Sequence, residues 1–190
     1  MTSVPSRPLR ADARRNREAI LASAAELFGQ RGDDAQIEEI AAHAGLGVGT
    51  VYRHFTDKQA LVAAIVGRRF EAATELALAA EQLADPGEAF DRLLFGYLES
   101  VAGDSAFRRA LLGPDEPRWE TIAAQKSAFR EVVGRIVTRA VDASLLRSDF
   151  DSDDFILITR GAMANMPGDT AWRRHVALQL EGIRIAGTER

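Results

Sequence analysis

Apolar residues recur along this chain at steps of three and four, the spacing of helices that bury one face. Between about Ala11 and Arg31, Ile20, Leu21, Ala24, Leu27 and Phe28 form one such stripe, and Gly32-Asp33-Asp34 ends it. Asp34 is placed to cap the helix that follows, because its carboxylate can accept backbone N–H bonds. Ile37, Ile40, Ala41 and Ala44 then fall at i, i+3, i+4 and i+7, and Gly45 supplies the permissive backbone of a C-cap or tight turn. From Gly47 to Phe55 a second short helix is predicted, with Val51 and Phe55 facing inward and Val48, Gly49, Thr50, Tyr52, Arg53 and His54 on its other sides. Two short helices joined by a glycine-containing turn form a helix-turn-helix, whose second helix can enter the major groove of DNA.

The stripes continue downstream. Thr56-Asp57-Lys58-Gln59 fits a capping box, with Thr56 bonding forward and Gln59 reaching back, and opens a long helix to about Leu83 that carries Leu61, Ile65, Phe70 and Leu76. Asp85-Pro86-Gly87-Glu88 starts another, with Asp at the cap and Pro at the first helical position; it carries Phe90, Leu93, Leu94, Tyr97, Leu98 and Val101. A short helix from Ser105 to Leu112 stops at Gly113-Pro114, and a long one is predicted from about Trp119 to Leu146. Asp151 or Ser152 caps a helix whose Phe155-Ile156-Leu157-Ile158 core is apolar all round, which asks for burial on more than one side. Gly161, Ala162 and Ala164 would let another helix come close to it. Pro167-Gly168 breaks it, and Asp169 caps a last helix striped by Trp172, Val176, Leu180 and Ile183, with Leu178 and Ile185 off the stripe. No strand pattern or internal repeat is present, so the expected fold is all-α, about nine helices, arranged as a mobile basic arm (1–10), a helix-turn-helix head (11–56) and a helical body (57–190).

Charge sharpens the picture only once it is divided. The 190 residues carry a net charge of −4, which argues against a nucleic-acid partner if taken whole. Residues 1–17, however, hold five arginines against Asp12 alone, while 18–58 hold three basic and seven acidic residues and 59–190 sixteen basic and twenty acidic. Phosphate attraction therefore falls to the N-terminal arginines, Arg14 and Arg15 among them, together with Arg53, His54 and Lys58. There is no cysteine, so disulfides and thiolate metal sites are excluded. No apolar run is long enough to span a bilayer, and the basic N-terminus lacks the apolar stretch of a secretory signal; a cytoplasmic protein is expected.

The run IAAHAGLGVGTVYRHFTDKQAL resembles the signature of the TetR family of transcriptional regulators: an IA pair, AG, G-T-[VL]-Y, HF and a lysine before an aliphatic residue. The likeness covers about Arg17 to Val66, roughly a quarter of the chain. It implies that Gly47, Val48, Gly49, Thr50 and Arg53 face the groove and that Tyr52, His54 and Lys58 clamp phosphate, a contact that fixes register rather than sequence. Gly47 and Gly49 would allow close backbone approach. Val48, where many relatives carry lysine, is restricted to an apolar contact such as a thymine methyl, and Arg53 can read guanine or grip a phosphate. Lys58 in a first helical turn opposes the helix dipole unless an anion binds there as well. Before the second helix this chain has Asp33, Asp34 and Gln36 and runs one residue shorter than the common pattern, which has an aromatic and a Thr or Ser there; Gln36 stands at the helix start as the remaining candidate for a DNA contact.

Beyond the head the resemblance implies a ligand-binding, dimerising region. Phe90, Leu94, Tyr97, Phe107, Trp119, Phe129, Met163 and Met166 are candidates to line an apolar cavity for an unknown small-molecule effector, although aromatics at helical spacing more often form plain core. Arg92, Tyr97, Gln125, Arg160 and Asn165 are polar groups near those faces. The expected partners are a double-stranded DNA operator, the effector, and a second copy joined through the last two helices, with no membrane. No cofactor is expected: Gly45 to Gly49 lacks the G-x-G-x-x-G spacing, His43, His54 and His175 have no metal-ligand spacing, and no serine or cysteine nucleophile motif occurs. The leading expectation is a repressor released from a palindromic operator. A constitutive DNA-binding dimer without an effector, or a carrier or enzyme with a vestigial head, are the alternatives.

Overall fold

The computed structural model describes residues 7–112, 118–166 and 171–185, with the side chains of 7–10, 33, 118, 119 and 171 not described. The fold is all-α. Nine helices of at least seven residues are present among the described residues, together with one four-residue segment, α7. They run α1 (Arg7–Arg31), α2 (Ile37–His43), α3 (Val48–His54), α4 (Lys58–Glu81), α5 (Pro86–Ala102), α6 (Ser105–Leu112), α7 (Arg118–Thr121), α8 (Ala123–Asp142), α9 (Ser152–Ala164) and α10 (Ala171–Ile183). Two compact units divide between Ile65 and Val66, inside α4. No helix among the described residues is long and apolar enough to cross a membrane.

In the first unit α1, α2 and α3 pack on one another around Ile20, Leu21, Ala24, Ile40, Val51 and Leu61, all buried. α1 reaches back to Arg7, into the stretch expected to be a mobile arm. Pro8 is compatible with this because a first helical turn has no use for its missing N–H. The cap of α2 also differs from expectation. Asp34 ends a short 3-10 turn, and Gln36 takes the N-cap position; the Gln36 N–H donates to Glu39 Oε2 at 3.1 Å.

In the second unit α5, α8 and α9 pack together, α6 lies on α5 and α9, and α10 lies on α9. Tyr97, Phe129 and Phe155 meet at the centre, with ring centroids 4.9 Å apart for Tyr97–Phe129 and 6.3 Å for Tyr97–Phe155. The caps of α5 and α9 follow their sequence signals. Asp85 Oδ1 accepts from Gly87 and Glu88 N–H at 2.8 and 3.0 Å, and Asp151 Oδ1 from Asp153 and Asp154 at 2.7 and 3.1 Å. The expected single helix from Trp119 to Leu146 is two. It breaks at Ile122 (φ −113°, ψ 18°), whose buried side chain is turned in against Gly67 of α4. It also ends early, at Asp142, because the backbone of Leu145–Arg147 pairs instead with Ile183–Ile185: Arg147 N–H donates to Ile183 O at 2.9 Å and Ile185 N–H to Leu145 O at 3.2 Å.

α9 and α10 come together closely at Gly161, where a Cβ would sit 2.8 Å from His175 Nε2. Trp172, Val176, Leu180 and Ile183 are buried as their stripe requires, but Leu157, Leu178 and Ile185 remain 70%, 48% and 42% exposed. The positions at Gly113-Pro114, Pro167-Gly168 and Asp169 lie outside the described residues.

Candidate nucleic-acid interface and body cavity

The turn between α2 and α3 is closed by backbone bonds. Gly45 has φ +66°, a left-handed conformation that side chains with a Cβ resist. Its N–H donates to Ala42 O at 3.1 Å and the Leu46 N–H donates to Ala41 O at 2.9 Å, the paired bonds of a Schellman motif. α3 then turns Val51 and Phe55 into the core, and Arg17 of α1 stacks over the Phe55 ring at 4.6 Å. Tyr52 is left 48% exposed, Arg53 and Gly49 are exposed, and Val48, Thr50 and His54 are half-buried. Arg53 lies along its own helix: Nη2 donates to Thr50 Oγ1 at 2.9 Å and Nε to Gly49 O at 3.3 Å. These bonds draw the guanidinium toward the N-terminal end of α3. A Cβ added at Gly47 or Gly49 would meet nothing within 4 Å, so packing within the protein does not demand glycine at either position.

The start of α4 corrects the expected capping box. Asp57, not Thr56, is the cap: Asp57 Oδ1 accepts from the Ala60 N–H at 2.7 Å, while the Thr56 hydroxyl donates to Asp57 Oδ2 at 3.2 Å. A carboxylate at a helix N-terminus also meets the positive end of the dipole, which is why it prevails over the hydroxyl. Lys58 follows immediately, its ammonium 5.6 Å from the centroid of the Phe28 ring. Of the remaining candidates, Arg14 is exposed, Arg15 is ion-paired with Asp12, and the exposed Gln36 donates from Nε2 to Asp34 O at 3.0 Å. Near Gln36, the Gln36 N–H and the Arg31 guanidinium hold the Glu39 carboxyl below the usual carboxylate range, which favours its ionised form.

In the body a cavity of about 390 Å³ opens between α4, α5, α6, α8 and α9. Phe70, Tyr97, Phe129 and Met163 are its buried walls, and Lys126, Arg130 and Arg160 stand among its outer residues. Burial raises the pKa of the Tyr97 hydroxyl. The sequence-derived candidates divide here. Tyr97, Phe129 and Met163 line the cavity. Phe107 packs edge-on against Phe70 at 5.6 Å, Phe90 packs against Phe150 at 6.0 Å, Leu94 is buried in the core, and Met166 Sδ accepts from Arg108 at 4.0 Å. The Trp119 side chain lies outside the described residues. Of the polar candidates, Arg160 lines the cavity, Asn165 bonds back to Gly161 O at 2.7 Å, and Arg92 faces solvent. Lys126, Arg130 and Thr159 were not singled out from the sequence. The signal available for the first two was their spacing of four on one helix, flanking Phe129.

A helix-turn-helix head and a cavity-bearing helical body together define a transcriptional-regulator architecture. Comparison with known proteins agrees. Residues 20–65 match the model "Bacterial regulatory proteins, tetR family", and residues 85–185 match "Transcriptional regulator SbtR-like, C-terminal domain". The HTH-type transcriptional repressor BepR of Brucella suis is 37% identical over 81 residues, 42% of this chain but only 39% of BepR. The TetR transcription regulatory protein from Mycobacterium vanbaalenii is 32% identical, with a TM-score of 0.65 over 94% of this chain and 100% of that one. A gamma-butyrolactone receptor (ArpA-like protein) is 25% identical, with a TM-score of 0.67 over 93% and 92%. The chain belongs to the TetR family of bacterial transcriptional regulators.

Proposed function

We propose that this protein is a homodimeric, cytoplasmic repressor that binds a palindromic operator through α3 and releases it when a small molecule occupies the body cavity. The observation that carries the reading is the head itself, in which α3 and its C-cap bury Val51 and Phe55 while α3 presents Gly49, Tyr52 and Arg53 outward. Tyr52, His54 and Lys58 serve as the phosphate contacts, with Arg14, Arg15 and Gln36 at the periphery. Val48, Thr50 and Arg53 face base edges, with Gly47 and Gly49 allowing the backbone to come close. BepR is named a repressor and the ArpA-like protein a receptor for a gamma-butyrolactone, which supports both halves of the proposal. The exposed Leu157, Leu178 and Ile185 support pairing through α9 and α10, since a two-fold interface uses one patch twice. The cavity lined by Tyr97 and Phe129 favours an effector over a constitutive dimer with a filled body.

The test is fluorescence anisotropy with duplex DNA from the region upstream of the protein's own gene. Binding falls steeply with salt as counterions are released, with a log–log slope of about −0.9 per phosphate contacted. Lys58→Ala and Tyr52→Phe weaken binding equally on all sequences, but only Lys58→Ala, which removes a charge, flattens that slope, whereas Arg53→Ala relaxes the selected consensus. No binding at low salt would end the proposal. An unchanged consensus for Arg53→Ala would move Arg53 to the phosphate contacts.

A further inference from the structure

We infer that the body cavity takes an amphipathic organic anion, whose head group draws Arg130 away from Asp153. This deepens, and rests on, the effector reading of the same cavity.

The walls specify the tail. Phe70, Phe129 and Met163 are buried and present carbon and sulfur to the space, and the buried Tyr97 adds its ring together with one hydroxyl under the influence of Arg160. The buried hydroxyl of Thr159 also lines it, but its proton is already committed to Phe155 O and Ile156 O at 2.9 and 3.0 Å. A polar ligand group lying deep in the cavity would therefore gain little from Thr159 as a donor and would lose its water, which is costly without a compensating bond. An apolar segment beside Thr159 leaves both of those bonds intact. The volume of about 390 Å³ is at the small end for ligand pockets, enough for a modest aliphatic or aromatic body.

The outer residues specify the head. Lys126 and Arg130 are four apart on α8, the spacing that puts two side chains on one face, and Arg160 comes from α9. All three line the cavity, and no aspartate or glutamate is among its described lining residues. Cations at the mouth of an apolar cleft raise a positive field there, which Asp153 reduces for as long as it holds Arg130. A cationic ligand would enter against it, a neutral one would ignore it, and an anion would be drawn to it.

The displacement follows from Arg130. Its guanidinium is ion-paired with Asp153 in the first turn of α9, and both side chains are more than half exposed. Exposed pairs of this kind hold weakly. A carboxylate anchored by a buried tail presents the same kind of oxygen acceptor to the guanidinium at high local concentration, so it can replace Asp153. Ligand entry then severs a tie between α8 and α9, the second of which carries the exposed Leu157.

The test uses three probes with one tail, decanoate, decan-1-ol and decyltrimethylammonium, titrated calorimetrically into the purified full chain below their micellar concentrations. Decanoate should bind about tenfold tighter than the alcohol, the scale of one charge-assisted hydrogen bond, and the ammonium should bind weakest. Arg130→Gln and Arg160→Gln should each erase most of that preference while leaving decan-1-ol affinity unchanged. Asp153→Asn should raise decanoate affinity about threefold by removing the competitor. Should that variant fold poorly by circular dichroism, the two arginine variants decide the matter, since their positions are exposed. Equal binding of acid and alcohol, preference for the ammonium, or binding of none of the three overturns the inference. A parallel DNA titration separates the two readings: DNA binding without decanoate preference sinks this inference alone, whereas decanoate preference without any effect on DNA binding leaves the anion site standing and removes the effector role.

Discussion

Replacing Leu157 and Leu178 together by glutamate should convert a dimer into folded monomers. The two side chains stand 70% and 48% exposed on α9 and α10. Together they leave about 1.2 whole leucine side chains wet per protomer, or about 2.4 per symmetric pair. At about 1.5–3 kcal/mol for a leucine fully removed from water, covering them stabilises the pair by roughly 3.5–7 kcal/mol before the costs of association. Losing the lower figure alone raises the dissociation constant about 300-fold, and four glutamates brought to one two-fold interface add repulsion. Within the protomer the change should be nearly silent, since substitutions at exposed positions usually stay within about 0.5 kcal/mol. Sedimentation velocity across a dilution series would read the association, and thermal melting by circular dichroism the fold. The monomer should bind a full operator poorly while keeping residual affinity for a half-site, because only the dimer fixes the separation of two recognition helices. If the double variant sediments as a dimer at low micromolar concentration with an unchanged melt, the pairing surface lies elsewhere and the α9–α10 assignment is wrong.

Three further outcomes follow from particular residues. Asp57→Ala should cost the head about 1 kcal/mol, the usual loss at an N-cap, while Thr56→Ala should cost little; denaturant melts showing the reverse order would restore Thr56 as the cap. Gly49→Ala has open space for its methyl group and should leave stability equal or raise it by up to about 1 kcal/mol, yet weaken operator binding if the duplex backbone comes close there; a variant that binds DNA as well as the parent would show that no such approach occurs. Glu81 accepts from two of the three guanidinium nitrogens of Arg135, Nε at 2.6 Å and Nη2 at 3.0 Å, and that pairing holds its carboxyl below the usual range. The pair's contribution is therefore present above the ordinary carboxylate pKa of about 4.3 and lost as pH falls through the lowered folded value. Glu81→Gln should melt lower than the parent at pH 7, by up to about 1 kcal/mol of stability, and the two curves should converge in acid; a gap independent of pH would mean that packing, not charge, is responsible.

The head was legible because its signals are local. Val51 and Phe55 face inward on a spacing of four, and Gly45 adopts the left-handed backbone that its position after α2 implied. The misreadings there concern single positions. Thr56 and Asp57 are adjacent and both are good caps, so composition cannot choose between them. The choice depends on which oxygen reaches the Ala60 N–H, and the carboxylate does so at 2.7 Å. A similar ambiguity, here of two residues, placed the cap at Asp34 where Gln36 caps α2.

The body resisted for a different reason. Its helices were readable one at a time from stripes such as Trp172, Val176, Leu180 and Ile183, all buried, but a cavity is a relation among helices. Phe70 and Tyr97 come from α4 and α5, Lys126 and Arg130 from α8, and Arg160 from α9; the first and last are ninety residues apart. On its own helix each cation reads as part of a solvated face, and that default is correct for most charged residues. Even the break at Ile122 is set from outside its own segment, by Gly67 leaving room for the isoleucine. The helical period says which face of each segment turns inward, but not which inward faces fail to meet. The candidate effector site is the place where they do not, so its chemistry had to come from the assembled fold.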